Sequence, residues 1–279
     1  MSGALAGRLA LVTGAGLGIG QGIALELGRQ GAAVAVHYGG SKAGAEDAVA
    51  AIEAAGGRAI AIQGDLRQVA ECRRVVDEAA AFLGGLDILI NNAGVTRAGD
   101  FATMSEETYN EMFDLNIRGY FFCAQQALPH LTRRPGGSIV NITSVHGGGG
   151  FPRHAAYAGT KGAIIAFTRT LAIELAPRRV RVNAIGPGLI EVPRYFDDPG
   201  YTSEQGGTMV PWGRVGARPT SPPSPPSWPA TPRSSSPARP STWTAARTRG
   251  WGWSGRSATS RRVPRCRCKV PGRTLRPVE

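Results

Sequence analysis

Lysine is almost absent from this 279-residue chain: Lys42, Lys161 and Lys269 are the only three among 32 basic side chains. Arginine serves nearly everywhere else, so a lysine marks a place where a compact ammonium is wanted in preference to a planar fork. Cysteine is also sparse. Cys72, Cys123, Cys266 and Cys268 form no CxxC pair, and His37, His130, His146 and His154 do not join them at metal-ligating spacing. Isolated thiols and no metal site are therefore expected. No apolar run reaches the ~18 residues of a membrane span, which excludes a membrane-crossing helix. Only Arg8 precedes the first strand-like stretch and no cleavage-site pattern follows it, so a cytoplasmic location is expected.

The formal charge of +12 would ordinarily suggest a polyanionic partner. Its distribution argues otherwise. Residues 1–218 hold 20 basic and 19 acidic side chains, whereas residues 219–279 hold 12 and 1. The basicity belongs to the C-terminal stretch and says nothing about a partner of the rest.

From Arg8 to about Gly216, short apolar runs alternate with amphipathic stretches. Leu9–Thr13, Ala33–His37, Ala59–Gln63, Ile88–Asn91, Ser138–Thr143 and Arg181–Ile185 read as strands. Helices are expected around Ile19–Gln30 and Ala43–Ala55, and after the strands Ala59–Gln63 and Ile88–Asn91. Continuous Val/Ile/Leu/Ala runs between helices mean strands buried on both faces. The expected fold is therefore α/β, a Rossmann-type doubly wound parallel sheet in a single domain over residues 1–216. Residues 217–279 break the pattern. From Pro219 on they carry 12 of the 20 prolines and 4 of the 5 tryptophans, with no period of 2 or 3.6, and are expected to form a disordered Pro/Arg/Ser-rich tail.

Thr13-Gly-Ala-Gly-Leu-Gly-Ile-Gly20 follows the first strand and opens a helix. Its glycines permit a tight turn and close approach of backbone N–H groups to a pyrophosphate at a helix N-terminus, pointing to a dinucleotide. The second strand ends in His37-Tyr38, with no acid to hold a ribose diol, and Ser41 and Lys42 follow. That arrangement favours NADP(H), with NAD(H) the alternative and mere decoration of a helix start the plain reading of Lys42.

Tyr157-Ala-Gly-Thr-Lys161 places a phenol and an ammonium at i and i+4, on one helical face. A nearby cation favours the phenolate, which would bring Tyr157 within range as a general acid/base. Alone, such a pair is usually surface decoration.

Jointly with the other motifs, the stretch from Gly7 to about Gly216 resembles the short-chain dehydrogenase/reductase family, in the subgroup of 3-oxoacyl-carrier-protein reductases and glucose dehydrogenases. The resemblance rests on the glycine turn, Asp65 after the third strand, Asn91-Asn-Ala-Gly94 after the fourth, Asn116 in a following helix, Ser144 at the end of the fifth strand, and Pro187-Gly188 after the sixth. It implies a catalytic set of Asn116, Ser144, Tyr157 and Lys161. Tyr157 would exchange a proton with the substrate oxygen, and Ser144 would hold that oxygen. Lys161 would tune the phenol and bind a ribose, while Asn116 would shape its helix around a water. Cofactor contacts are implied for Thr13, Gly14, Gly18, Ile19, Gly20, Ser41, Lys42, Asp65, Leu66, Asn92, Ala93, Gly94, Tyr157, Lys161, Pro187, Gly188 and Ile190. Val192 departs from the family pattern, which has a threonine there. His146–Phe151 and Glu191–Trp212 would border the pocket, with Phe151, Tyr195 and Phe196 as apolar walls.

The resemblance also implies a last helix and a seventh strand, both missing from the sequence after Gly216. A shifted reading frame accounts for this. Trp243 is encoded by TGG and Thr244 begins AC, so the shifted frame reads GAC, an aspartate codon. With GC-rich wobble choices, Ser236 to Arg247 read two bases later yields Thr-Gly-Gln-Ala-Val-Tyr-Val-Asp-Gly-Gly-Thr, the family's seventh-strand sequence. Arg218 to Ser227 likewise yields Pro-Asp-Val-Ala-Ala-Val-Ala-Ala-Val, a helix-like run. The expected function is NADP(H)-dependent interconversion of a small-molecule carbonyl and a secondary alcohol, by a homodimer or homotetramer that the altered C-terminus would impair. Two alternatives stand beside it: an inactive relic, and a non-catalytic protein whose Arg/Trp/Pro tail binds nucleic acid.

Overall fold

The computed structural model describes residues 3–192 and 195–217, all within the unit Met1–Arg247. In chain order the main elements are β1 (Leu9–Val12), α1 (Gly18–Arg29), β2 (Ala33–Tyr38), α2 (Lys42–Ala54), β3 (Ala59–Gln63), α3 (Val69–Leu83), β4 (Ile88–Asn91), α4 (Glu106–Phe113), α5 (Gly119–Leu131), β5 (Ser138–Ile142), α6 (Ala155–Leu175) and β6 (Arg181–Ile185). Short β7 (Ile190–Glu191), α7 (Ser203–Thr208) and β8 (Gly216–Ala217) follow, with β7 and β8 paired to each other.

Six strands form one parallel sheet in the order β3-β2-β1-β4-β5-β6. This is the Rossmann-type α/β fold expected. Alternation of side chains along each strand explains the double winding. Leu11, Ala35, Leu89, Ile139 and Val182 enter a core shared with α3 and α5 residues such as Cys72, Val75, Val76, Cys123 and Leu131. Their neighbours Val12, Val34, Val36, Ile90 and Ile142 enter a second core with Ala24 of α1 and Ala45, Ala48 and Ile52 of α2. The crossovers turn outward in opposite directions from β1 and β4, so the carboxyl ends of those two strands open a crevice. Every residue of the glycine turn lies at that crevice.

The two halves of the sheet are not equally covered. Val182 of β6 is buried, yet Ala184 on its own face and Arg181, Asn183 and Ile185 on the other are exposed, Ile185 at 54%. Among the described residues β6 pairs only with β5, so one edge and one face of it lie open.

The elements match the sequence expectations to within a residue or two, with two local differences. Asn116 does not sit in a plain α-helix. It lies in a π-helical turn, Asp114–Arg118, that joins α4 to α5. Cys72 and Cys123 are free and buried as expected, but they are not isolated: they are neighbours between α3 and α5, each perturbing the other's titration, and the Cys72 thiol donates to the Leu66 carbonyl at 3.2 Å. The expectations placed on residues 218–279, including the tail, its frame-shifted reading, Cys266, Cys268 and Lys269, lie outside the described residues.

Candidate active site

The glycine turn is held shut by contacts that a side chain would destroy. Gly14 and Gly18 have φ of +61° and +58°, a region only glycine enters freely. A Cβ on Gly14 would sit 2.6 Å from the Cα of Ala93, and one on Gly20 would sit 2.3 Å from the carbonyl oxygen of Gly14. Asn92 clamps the turn from the neighbouring strand end, its Nδ2 donating to the carbonyls of Thr13 (3.0 Å) and Gly14 (2.9 Å). Thr13 answers by accepting the N–H groups of Asn92 (2.9 Å) and Ala93 (3.1 Å) on its hydroxyl. The β1 and β4 exits are thereby locked together. Leu17 caps α1 without a side-chain hydrogen bond, which leaves the first N–H groups of the helix to an anion.

One residue here escaped the sequence reading. His37, noted only as the absence of an acid, is the turn's third anchor. The Gly14 N–H donates to its Nδ1 (3.0 Å), and its Nε2 faces the Gly64 carbonyl at 3.1 Å. These two bonds together require the neutral ring with its proton on Nε2. Burial pushes the His37 pKa down to about 4. An unfolded histidine titrates near 6.5, so between those values the unfolded chain binds the extra proton and stability falls as pH falls. Urea unfolding should therefore lose roughly 3 kcal/mol between pH 6.5 and 4 that a His37→Asn variant retains. Parallel pH profiles for the two proteins would refute this.

The residues expected at the ribose 2′ position are adjacent but occupied otherwise. Ser41 is the N-cap residue of α2, and the backbone there comes so close to the turn that a Cβ on Gly16 would lie 2.5 Å from the Ser41 carbonyl oxygen. Lys42 is 68% exposed and leans back on Glu46 at 3.6 Å. The Asp65 carboxylate is held by Arg67, at 2.7 Å from its guanidinium, and that bond keeps its pKa below the usual range. Leu66 is buried. Val192 packs over Gly18, where a Cβ would meet its Cγ1 at 3.0 Å.

On the other side of the crevice, four expected residues converge. Asn116 is fully buried. Its amide nitrogen donates to the Val95 carbonyl (2.9 Å) and the Thr160 hydroxyl (3.1 Å), and its oxygen accepts the Val95 N–H (2.8 Å). The π turn thus ties the loop after β4 to α6. Lys161 is 4% exposed, donates to the Ile142 carbonyl at 2.9 Å, and lies 5.6 Å from the centre of the Tyr157 ring. Desolvation lowers its pKa to about 8. Tyr120, also missed from sequence, presents its ring 5.7 Å below the same ammonium and donates its hydroxyl to the same Ile142 carbonyl (3.1 Å).

Ser144 lies two residues past β5 in extended conformation and caps the short turn Val145–Gly147. The Val145 N–H donates to the Pro187 carbonyl (3.2 Å), and the Thr143 hydroxyl donates to the Lys161 carbonyl (2.8 Å). The exits of β5 and β6 and the Lys161 turn of α6 are therefore one bonded assembly. Gly188 and Ile190 follow it into β7. His146 packs edge-on against Tyr157 with ring centres 5.3 Å apart, and Phe151 stacks on His146 at 4.0 Å. Of the other expected walls, Phe196 is exposed and Tyr195 stacks on Tyr201. Among the described residues no cluster could hold a metal ion, and no helix is long and apolar enough to cross a membrane.

Residues 8–196 match the family model described as short chain dehydrogenase. The chain belongs to the short-chain dehydrogenases. It is an oxidoreductase of that family, and its six-stranded parallel sheet matches structures of the family. It is 47% identical over 186 residues to an uncharacterized oxidoreductase of Methylorubrum extorquens, covering 67% of this chain and 74% of that protein. It is 44% identical over 192 residues to the hydroxynaphthalene reductase-like protein Arp2 of Metarhizium brunneum, covering 68% and 71%. Among solved structures it resembles a short chain dehydrogenase of Burkholderia cenocepacia in complex with NADP, with a TM-score of 0.72, 36% identity, and coverage of 77% of this chain and 86% of that one.

Proposed function

We propose that this dehydrogenase interconverts a ketone and a secondary alcohol, with Tyr157 as the proton donor and acceptor and NADP(H) as the preferred partner. The observation that carries the reading is the buried Lys161 ammonium 5.6 Å from the Tyr157 ring, with Ser144 brought up beside it through His146. A cation in a water-poor site favours the phenolate, so the proton can leave the phenol for a substrate oxygen. The Ser144 hydroxyl holds that oxygen by a hydrogen bond, and Asn116 keeps α6 in register with the loop after β4. The glycine turn and the uncapped start of α1 fit a dinucleotide, which when bound supplies or takes up the hydride. NADP is the ligand of the Burkholderia relative, and no acid follows β2 here. The substrate class supported best is a planar aromatic ketone: His146, Phe151 and His154 offer ring faces beside Tyr157, and hydroxynaphthalene reductase-like proteins are among the relatives.

The test is a panel of aromatic ketones, 3-oxoacyl thioesters and sugars, each assayed with NADP(H) and with NAD(H). Turnover of none of them would sink the reading and leave the inactive relic. Lys42→Ala should weaken NADPH binding about tenfold and leave NADH binding unchanged, as expected for one exposed phosphate contact. Equal loss for both nucleotides, read by fluorescence titration, would remove Lys42 from the site.

The proposal extends to the C-terminus. Residues 1–216 are the catalytic domain, and residues 217–279 are a frame-shifted ending in place of the helix and strand that would cover β6. The open face at Arg181, Asn183 and Ile185 supports this, as does basic charge confined to that stretch. Resequencing the gene tests it. Assembly as a homodimer or homotetramer in the cytoplasm belongs to the same reading, with light scattering of the intact chain as its check.

A further inference from the structure

We propose that His146 positions Ser144, its imidazole Nδ1 fixing the direction of the serine hydroxyl toward the substrate oxygen. The inference rests on the carbonyl-reducing reading above and adds a residue that the family motif does not contain. The Ser144 Oγ lies 3.2 Å from Nδ1 of His146 and also accepts the His146 backbone N–H at 3.3 Å. A hydroxyl has one proton and two lone pairs. With the backbone N–H on one lone pair and an Nδ1–H on the other, the hydroxyl proton is left for the substrate oxygen. With Nδ1 as acceptor instead, the same proton turns away from the substrate. The ring's tautomer therefore sets whether Ser144 can donate.

The surroundings hold that ring in place. Phe151 stacks on it at 4.0 Å, and Tyr157 meets its edge at 5.3 Å. The turn that carries it is bedded on α6 at Gly147, where a Cβ would come within 2.8 Å of the Lys161 carbonyl oxygen. The titratable groups packed about it are His154, with ring centres 4.9 Å apart, and Tyr157, backed by Lys161. The His154 ring faces the Pro152 carbonyl through Nδ1 at 2.7 Å, so its Nδ1 proton is spent there. Burial, with His154 nearby, keeps the His146 pKa below the ordinary histidine value. The ring is thus neutral at pH 7, with a single proton to place.

His146→Phe keeps a ring to stack on Phe151 and removes Nδ1. It should lower kcat about tenfold while KM and NADPH affinity hold, the signature of an interaction made in the transition state. His146→Asn, whose amide reaches the place of Nδ1, should recover most of that loss. An undiminished kcat in His146→Phe, or an equal loss in both variants, overturns the proposal. A readout that needs no turnover is the 15N signal of His146 Nδ1. Ser144→Ala should shift it, and an unmoved signal also overturns the proposal. If that shift is seen and the wild-type chain reduces no carbonyl, the reductase reading fails and the serine–histidine tie stands.

Discussion

Tyr157→Phe should cost turnover about three orders of magnitude and leave nucleotide binding intact. Three contacts that hold the helix do not use the Tyr157 hydroxyl and survive the substitution: Asn116–Thr160, Thr143–Lys161 and Lys161–Ile142. A positioned proton donor contributes ~10²–10⁴-fold, and on the proposed reading the phenol beside Lys161 is the group that exchanges a proton with the substrate. Nucleotide affinity, which on the proposed reading rests mainly on the glycine turn after β1 and only in small part on Tyr157, gives the control. Two measurements decide the matter: steady-state kcat, and NADPH fluorescence on the same preparation. A variant that retains a tenth of its activity would assign the proton to another group. The buried ammonium also carries a consequence for pH. With the Lys161 pKa brought to about 8, the charge that favours the phenolate is lost as pH rises through that value, so activity should fall on the alkaline side.

How far the sequence alone carried the structure depended on whether a signal was local. Strands β3 and β4 run as read because each is a short apolar run bounded by turn residues. The glycine turn and the Tyr157–Lys161 spacing were equally legible, since their chemistry lies in neighbouring residues. What stayed hidden was pairing across distance. His37 and Gly14 are 23 residues apart, and nothing in the period of β2 reveals that the ring faces the turn. Tyr120 reads as one more apolar residue of α5 until its hydroxyl is seen on the carbonyl that Lys161 also uses. Asn116 was placed in a helix, but a single wide turn leaves the apolar period almost unchanged and so leaves no trace in sequence. His146 read only as the start of a stretch bordering the pocket because its contacts, to Ser144, Phe151 and Tyr157, come from different segments.

Restoring the alternative frame after Gly216 should raise the thermal midpoint by about 5–10 °C. The argument starts from β6. Val182 is buried, while Ala184 on its own face and Arg181, Asn183 and Ile185 on the opposite face are exposed, and the outer edge of β6 pairs with no described strand. Unpaired edges and open apolar surface are liabilities in a sheet of this kind. The alternative frame supplies what that face lacks: a helix-like Val/Ala run, then a Val-Tyr-Val strand ending in a glycine turn. Covering a few hundred Å² of apolar surface contributes roughly 5–10 kcal/mol before ordering the new residues, which offsets most of it. A remainder of about 2–3 kcal/mol corresponds to the stated shift for a domain of this size. The chain as written and the frame-restored chain, unfolded side by side, would separate the readings. Equal midpoints would mean that β6 needs no cover and that residues 219–279 are no loss to the fold. A raised midpoint with unchanged kcat per folded molecule would place the site wholly before Gly216, as the bonds joining Asn116, Ser144, Tyr157 and Lys161 imply.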